Sequence, residues 1–171
     1  MSSTLEKVEK AEELKAEGNE LFRKGDHQGA VAKYAFGYMY VKGLGDTAGG
    51  LTGMGGGAGA DSLSPEERAR VDAASTSIQL NQAACYLKLQ KWQKAVAVCS
   101  RVLQVQGDNV KALLRRGQAH LGMRDTDRAE EDLRRADSLQ PNDRAIRQQL
   151  QLLQQEKKRQ NEGHAMKGLF T

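Results

Sequence analysis

Three stretches of this chain share one register. LKAEGNELFRKGDHQGAVAKYAFGY begins at Leu14, NQAACYLKLQKWQKAVAVCSRVL at Asn81 and LRRGQAHLGMRDTDRAEEDLRRA at Leu114. Each carries a small residue inside a first apolar-periodic segment (Gly18, Ala83, Gly117) and an alanine twelve positions later in a second (Ala30, Ala95, Ala129). Four residues further on stands a larger or softer side chain: Tyr34, Cys99, Leu133. The spacing predicts three helix-turn-helix units. Small residues let the paired helices approach closely, while the larger ones fill the space between neighbours. One unit therefore leaves an apolar face uncovered, and only a stack buries it.

Ala83 and Gly117 are 34 residues apart, the length of a tetratricopeptide repeat, whereas Gly18 and Ala83 are 65 apart. The 31 extra residues fall in KGLGDTAGGLTGMGGGAGADSLSPEERARVDAAS, which holds nine glycines between Gly43 and Gly59. So few apolar anchors do not offset the entropy of ordering, and a flexible glycine-rich loop is expected over 43–63. No GxxxxGK[ST] follows a strand there, so the glycines are not a phosphate cradle. At SPEE the pattern changes: Ser64 suits an N-cap, Pro65 the first helical position and Glu67 the reciprocal partner of a capping box.

The expected architecture is all-α: a three-repeat helix-turn-helix solenoid, wound as a right-handed superhelix, with a C-terminal capping helix. Its parts run 1–10 (extension of the first helix), 11–42 (repeat one), 43–63 (loop), 64–109 (repeat two, with a long first helix), 110–141 (repeat three) and 142–171 (capping helix and tail). In the last part Pro141 acts as a stop, Asn142 as a cap, and Ile146, Leu150 and Leu153 as an apolar stripe, with a frayed or loosely docked tail from Gly163 on.

Composition agrees with a helical reading and narrows the function. Aromatic residues are 5% of the chain, and the net charge of +4 mixes both signs without a basic stripe, so nucleic-acid binding is not indicated. Cys85 and Cys99 lie at apolar helix positions with no CxxC pairing and read as buried thiols. His27, His120 and His164 are scattered and pair with no nucleophile, so no enzyme, metal or cofactor is expected. No apolar window reaches the length of a membrane span, no signal-peptide core opens the sequence, and Ser2 stands where myristoylation requires glycine; a cytoplasmic protein is the expectation.

Lys111 and Arg115 sit one turn apart on a single helix face, where like charges repel by about a few tenths of a kcal/mol. A fixed pair of cations points to a fixed anion. Lys15 and Asn19 repeat the four-residue spacing in the first unit, and Asn81 stands on the first helix of the second. If these faces line one concave groove, three cations and two amides converge there, a donor set suited to a peptide end carrying two carboxylates.

The pattern Lys-x-x-x-Asn, Asn, Lys-x-x-x-Arg resembles the two-carboxylate clamp of tetratricopeptide co-chaperones, which hold the Glu-Glu-Val-Asp tail of the ninety- or seventy-kilodalton heat-shock proteins (Hsp90, Hsp70). NQAACYLKLQKWQKAVAVCSRVL, NVKALLRRGQAHLGM and MKGLF are similar to the repeat domain of large immunophilins and of the aryl-hydrocarbon-receptor-interacting protein group, and the insertion before repeat two to that of tetratricopeptide protein nine relatives. The resemblance implies that Lys15, Asn19 and Asn81 hold the terminal carboxylate and that Lys111 and Arg115 hold the last acidic side chain and neighbouring groups. Phe22 and Leu114 are candidate groove contacts, with core packing as their alternative. No prolyl isomerase domain precedes the repeats in this sequence, which leaves a free-standing adaptor or a fragment. Two other readings remain: a scaffold for an unrelated internal peptide, and a calmodulin- or membrane-regulated module working through Lys157, Lys158 and Arg159.

Overall fold

The computed structural model describes residues 3–44 and 63–170, and these form seven helices: α1 (Thr4–Arg23), α2 (His27–Val41), α3 (Pro65–Lys88), α4 (Trp92–Val105), α5 (Val110–Gly122), α6 (Thr126–Leu139) and α7 (Arg144–Leu169). The fold is all-α, as the register predicts. Most of the expected 43–63 loop lies outside the described residues. The chain divides into two compact units, Met1–Cys85 and Tyr86–Thr171, and α3 runs unbroken through the division.

Three hairpin turns repeat one geometry. Gly25 (φ 84°), Gln90 (φ 56°) and Arg124 (φ 60°) each take the left-handed conformation that reverses the chain. They follow one another at the same 65- and 34-residue intervals as Gly18, Ala83 and Gly117. In each turn the next amide reaches back to the carbonyl five residues earlier: Asp26 to Leu21, Lys91 to Tyr86 and Asp125 to His120, all at 2.9 Å. This is the Schellman closure, which satisfies carbonyls left over at a helix end. Asp26 and Asp125 then cap the second helix of their hairpins, each carboxylate accepting from the amide three residues on. Lys91, at the same register, provides no side-chain cap.

In the first unit, α1 and α2 pair around Gly18. A Cβ there would lie 2.6 Å from the ring of Tyr34, so only a glycine lets the fully buried tyrosine lie against the helix backbone. Val8, Ala11 and Leu14 of α1, Val31 and Val41 of α2, and Val71, Ala74 and Ile78 of α3 are buried. Complete burial of each large aliphatic side chain contributes about 1.5–3 kcal/mol. Helix α3 begins at the expected capping box: the Ser64 amide donates to Glu67, and the Glu67 amide donates to Ser64 Oγ.

The second unit repeats the device at Gly117, where a Cβ would approach Leu133 to 2.8 Å. Two clusters follow, Leu113 with Ala136 and Ile146, and Ala129 with Leu133 and Leu153. Ile146, Leu150 and Leu153 thus bring α7 onto α5 and α6, as the stripe predicts. Two details at this end differ from expectation. The cap of α7 is Asp143, whose carboxylate accepts from the Ile146 amide, because Asn142 has entered the left-handed region (φ 67°) and forms the preceding turn instead. The helix also continues through Gly163 to Leu169, with residues 161–170 exposed, so the tail is helical rather than frayed. A lone glycine with a helical φ costs about 1 kcal/mol relative to alanine and does not end a helix by itself.

Candidate functional site

Lys15, Asn19 and Asn81 come together in the first unit. Lys15 and Asn19 lie one turn apart on α1; Ser77 and Asn81 lie one turn apart on α3. Lys15 Nζ donates to Ser77 Oγ at 3.3 Å, and the serine hydroxyl donates to the Ala74 carbonyl at 3.2 Å. The hydroxyl proton is thereby directed at the backbone, leaving a lone pair for the ammonium. Asn19 Oδ1 accepts twice, from Tyr34 OH at 2.7 Å and from Asn81 Nδ2 at 3.0 Å. With its oxygen engaged inward, the Asn19 amide keeps its nitrogen as a donor for which no acceptor is found among the described residues. All three candidate side chains are half-buried.

Lys111 and Arg115 belong to the second unit, on the first two turns of α5. That helix is fixed at its start by Asn109, whose Oδ1 accepts from the Ala112 amide at 3.0 Å and whose amide nitrogen donates to Gln106. Lys111 is exposed and makes no ion pair among the described residues; Arg115 is half-buried. Arg115 also acts on Cys99. Burial pushes that thiol up to about 12, and the arginines at 115 and 116 pull against the shift without reversing it. Cys85 and Cys99 are both buried free thiols, so Cys99 is an inert core residue.

The remaining sequence candidates make the following contacts, with Phe22 and Leu114 both half-buried. Leu114 packs against both clusters of the second unit. The ring of Phe22 sits 4.9 Å from that of His27 at the first hairpin turn. Trp92 opens α4 and lies against Gly122, where a Cβ would come within 2.5 Å of the indole. Each member of the basic run has an acidic neighbour: Lys157 pairs with Glu130, Lys158 with Glu162 at 3.9 Å and Arg159 with Glu156 at 2.6 Å. Among the described residues no three His, Cys, Asp or Glu side chains are grouped to hold a metal ion, and no helix is long and apolar enough to cross a membrane.

Three features were absent from the sequence reading: Ser77, Tyr34 as a hydrogen-bond donor, and the ion pair of Arg116 with Asp132. The last is bidentate, with Nε to Oδ2 and Nη2 to Oδ1 both at 2.7 Å, while Nη1 donates to Ser100. Its signal was present in the register. Arg116 and Asp132 are 16 residues apart, as are Glu17 and Lys33, which pair with opposite polarity at the equivalent place in the first hairpin.

Close-packed helix hairpins, repeated along the chain with donors on their first helices, define a helical-repeat protein, a protein-interaction fold. Residues 78–106 and 110–143 each match a family model described as a tetratricopeptide repeat, and the chain carries tetratricopeptide repeats. It is 31% identical over 158 residues to the peptidyl-prolyl cis-trans isomerase FKBP4 of Mus musculus, covering 92% of this chain and 31% of that protein. The chain thus spans about a third of that relative's length, and the repeat part is what matches. Among solved structures it resembles the C-terminal tetratricopeptide-containing domain of a Plasmodium falciparum FK506-binding protein, with a TM-score of 0.77, 28% identity and coverage of 94% of this chain and 97% of that one. The first such domain of Spaghetti (RPAP3), solved bound to the HSP90 peptide SRMEEVD, shares the fold with a TM-score of 0.63, 22% identity and coverage of 86% and 93%.

Proposed function

We propose that this chain is a non-enzymatic co-chaperone adaptor that captures the acidic C-terminal tail of a heat-shock chaperone, Hsp90 or Hsp70. Lys15, Asn19 and Asn81 take the terminal carboxylate; Lys111 and Arg115 take the last acidic side chain. The observation that carries this reading is the pairing of the first-unit donors: the Asn19 oxygen accepts from both Tyr34 and Asn81, which leaves its amide nitrogen as the donor one turn along α1 from Lys15. An anion is the ligand that such a pair of donors suits. The shared fold with a domain solved with an HSP90 peptide supports the same partner class.

Charge-assisted hydrogen bonds contribute about 1.5–3 kcal/mol each, and ordering a short peptide offsets much of that. Micromolar affinity, about 8 kcal/mol, is expected, weakening as salt rises. The test separates a tail reader from a scaffold for internal peptides. A peptide ending in Glu-Glu-Val-Asp and the same sequence extended by several neutral residues are titrated into the full chain. Binding of the first and failure of the second is the expected result; equal binding would assign the site to an internal peptide.

A further inference from the structure

We propose that Tyr34 is a positioning residue for tail recognition: its hydroxyl locks the Asn19 amide nitrogen-outward, and so gives the site its preference for a free carboxylate over a neutral end. The inference rests on the tail-binding reading above and adds a residue that touches no ligand.

The hydroxyl is surplus to packing. The ring of Tyr34 fills the space left by Gly18, and at the equivalent positions of the other two hairpins stand Cys99 and Leu133, both buried and without a hydroxyl. Asn19 has as its counterparts Ala84 and Gln118, so the tyrosine-asparagine pair occurs in the first hairpin alone. Tyr34 is 1% exposed, and a phenol proton that deep requires an acceptor. It finds Asn19 Oδ1 at 2.7 Å, the ordinary length for an O–H···O bond.

The consequence is electrostatic. An asparagine side chain can present either its oxygen or its nitrogen by a half-turn about its last torsion. Presenting the oxygen to a carboxylate sets lone pair against lone pair. Presenting the nitrogen offers a donor. Asn81 alone holds the oxygen inward by one bond at 3.0 Å, and the phenol adds a second, shorter one. Removing it leaves the amide free to turn its wrong end outward for part of the time.

The test compares the full chain with Tyr34→Phe, Asn19→Ala and the double variant, each titrated with a Glu-Glu-Val-Asp-ended peptide as the free acid and as the C-terminal amide. In Tyr34→Phe the free-acid affinity should fall about fivefold, the size of one lost hydrogen bond, while the amide affinity stays put. The phenylalanine change should add nothing once Asn19 is alanine. If the unaltered chain prefers the acid and Tyr34→Phe keeps the whole preference, the role of Tyr34 falls and the tail-binding reading stands. If the unaltered chain shows no preference, both fall. A second measurement needs no variant to fold: the Asn19 side-chain amide resonances should move with the acid peptide and not with the amide, and unmoved resonances would overturn the proposal.

Discussion

Arg116 and Asp132 meet across the third hairpin through two parallel bonds of 2.7 Å, with the carboxylate almost wholly buried. Its neighbour in sequence, Arg115, lies about a quarter-turn further around α5. Arg116 thus ties α5 to α6. Asp132→Ala leaves the Arg116 guanidinium half-buried without its carboxylate. Because that side chain remains 27% exposed, the cost should fall at roughly 2–3 kcal/mol, below the usual range for a buried pair. Chemical denaturation checks it, and Arg115→Ala measured alongside should shift stability by under about 1 kcal/mol.

The close approach at Gly117 gives a second prediction. Gly117→Ala places a methyl group 2.8 Å from Leu133, whose Cγ is a branch point and not a movable tip. Overpacking of this kind costs about 1–3 kcal/mol, and thermal unfolding should show it. Combining it with Leu133→Ala should give less destabilisation than the sum of the two single changes, because the second change removes the clash.

The middle hairpin should be improvable. Lys91 has the backbone conformation of Asp26 and Asp125 at the same register, yet it provides no cap and sets a cation at the positive end of α4. Lys91→Asp should raise stability by about 1 kcal/mol by capping the Lys94 amide, measured as a shift in the denaturation midpoint. No gain would mean that Lys91 has other work in the turn.

Acid should weaken the second unit before it titrates carboxylates. Burial holds His120 below its ordinary value of 6.5, outweighing the opposite pull of Asp132. The unfolded chain therefore binds this proton more readily than the folded one. Stability is complete above about pH 6.5 and declines as pH falls below it. Glu12 and Glu130, held low by Arg70 and by Lys157 with Arg134, add their own loss only below about 4.5. Melting temperatures between pH 5 and 7.5 should fall toward acid, and His120→Gln should flatten that segment of the curve.

The hairpins were legible because they rest on steric spacing. A small residue at Gly18, Ala83 and Gly117, with a larger one sixteen positions on, is a pattern that the order of residues alone carries, and the Ser64 capping box needs only four residues. The end of α7 was not legible, since a glycine such as Gly163 stops a helix only when its φ turns positive, and the sequence does not show φ. The hydrogen bonds of Asn19 escaped for a related reason. Spacing placed Lys15, Asn19 and Asn81 on first helices, but Tyr34 reads as packing until its hydroxyl is seen 2.7 Å from an amide oxygen. Arg116 with Asp132 was readable in principle from the Glu17 and Lys33 precedent, and was hidden because the charges exchange helices between hairpins.

The most direct measurement is calorimetry of the full chain, Lys111→Ala and Arg115→Ala with a free-acid Glu-Glu-Val-Asp-ended peptide at low salt. The expected result is micromolar binding that drops about tenfold or more, roughly 1.4 kcal/mol, in each variant while the fold survives. Unchanged affinity in both variants would contradict the carboxylate clamp.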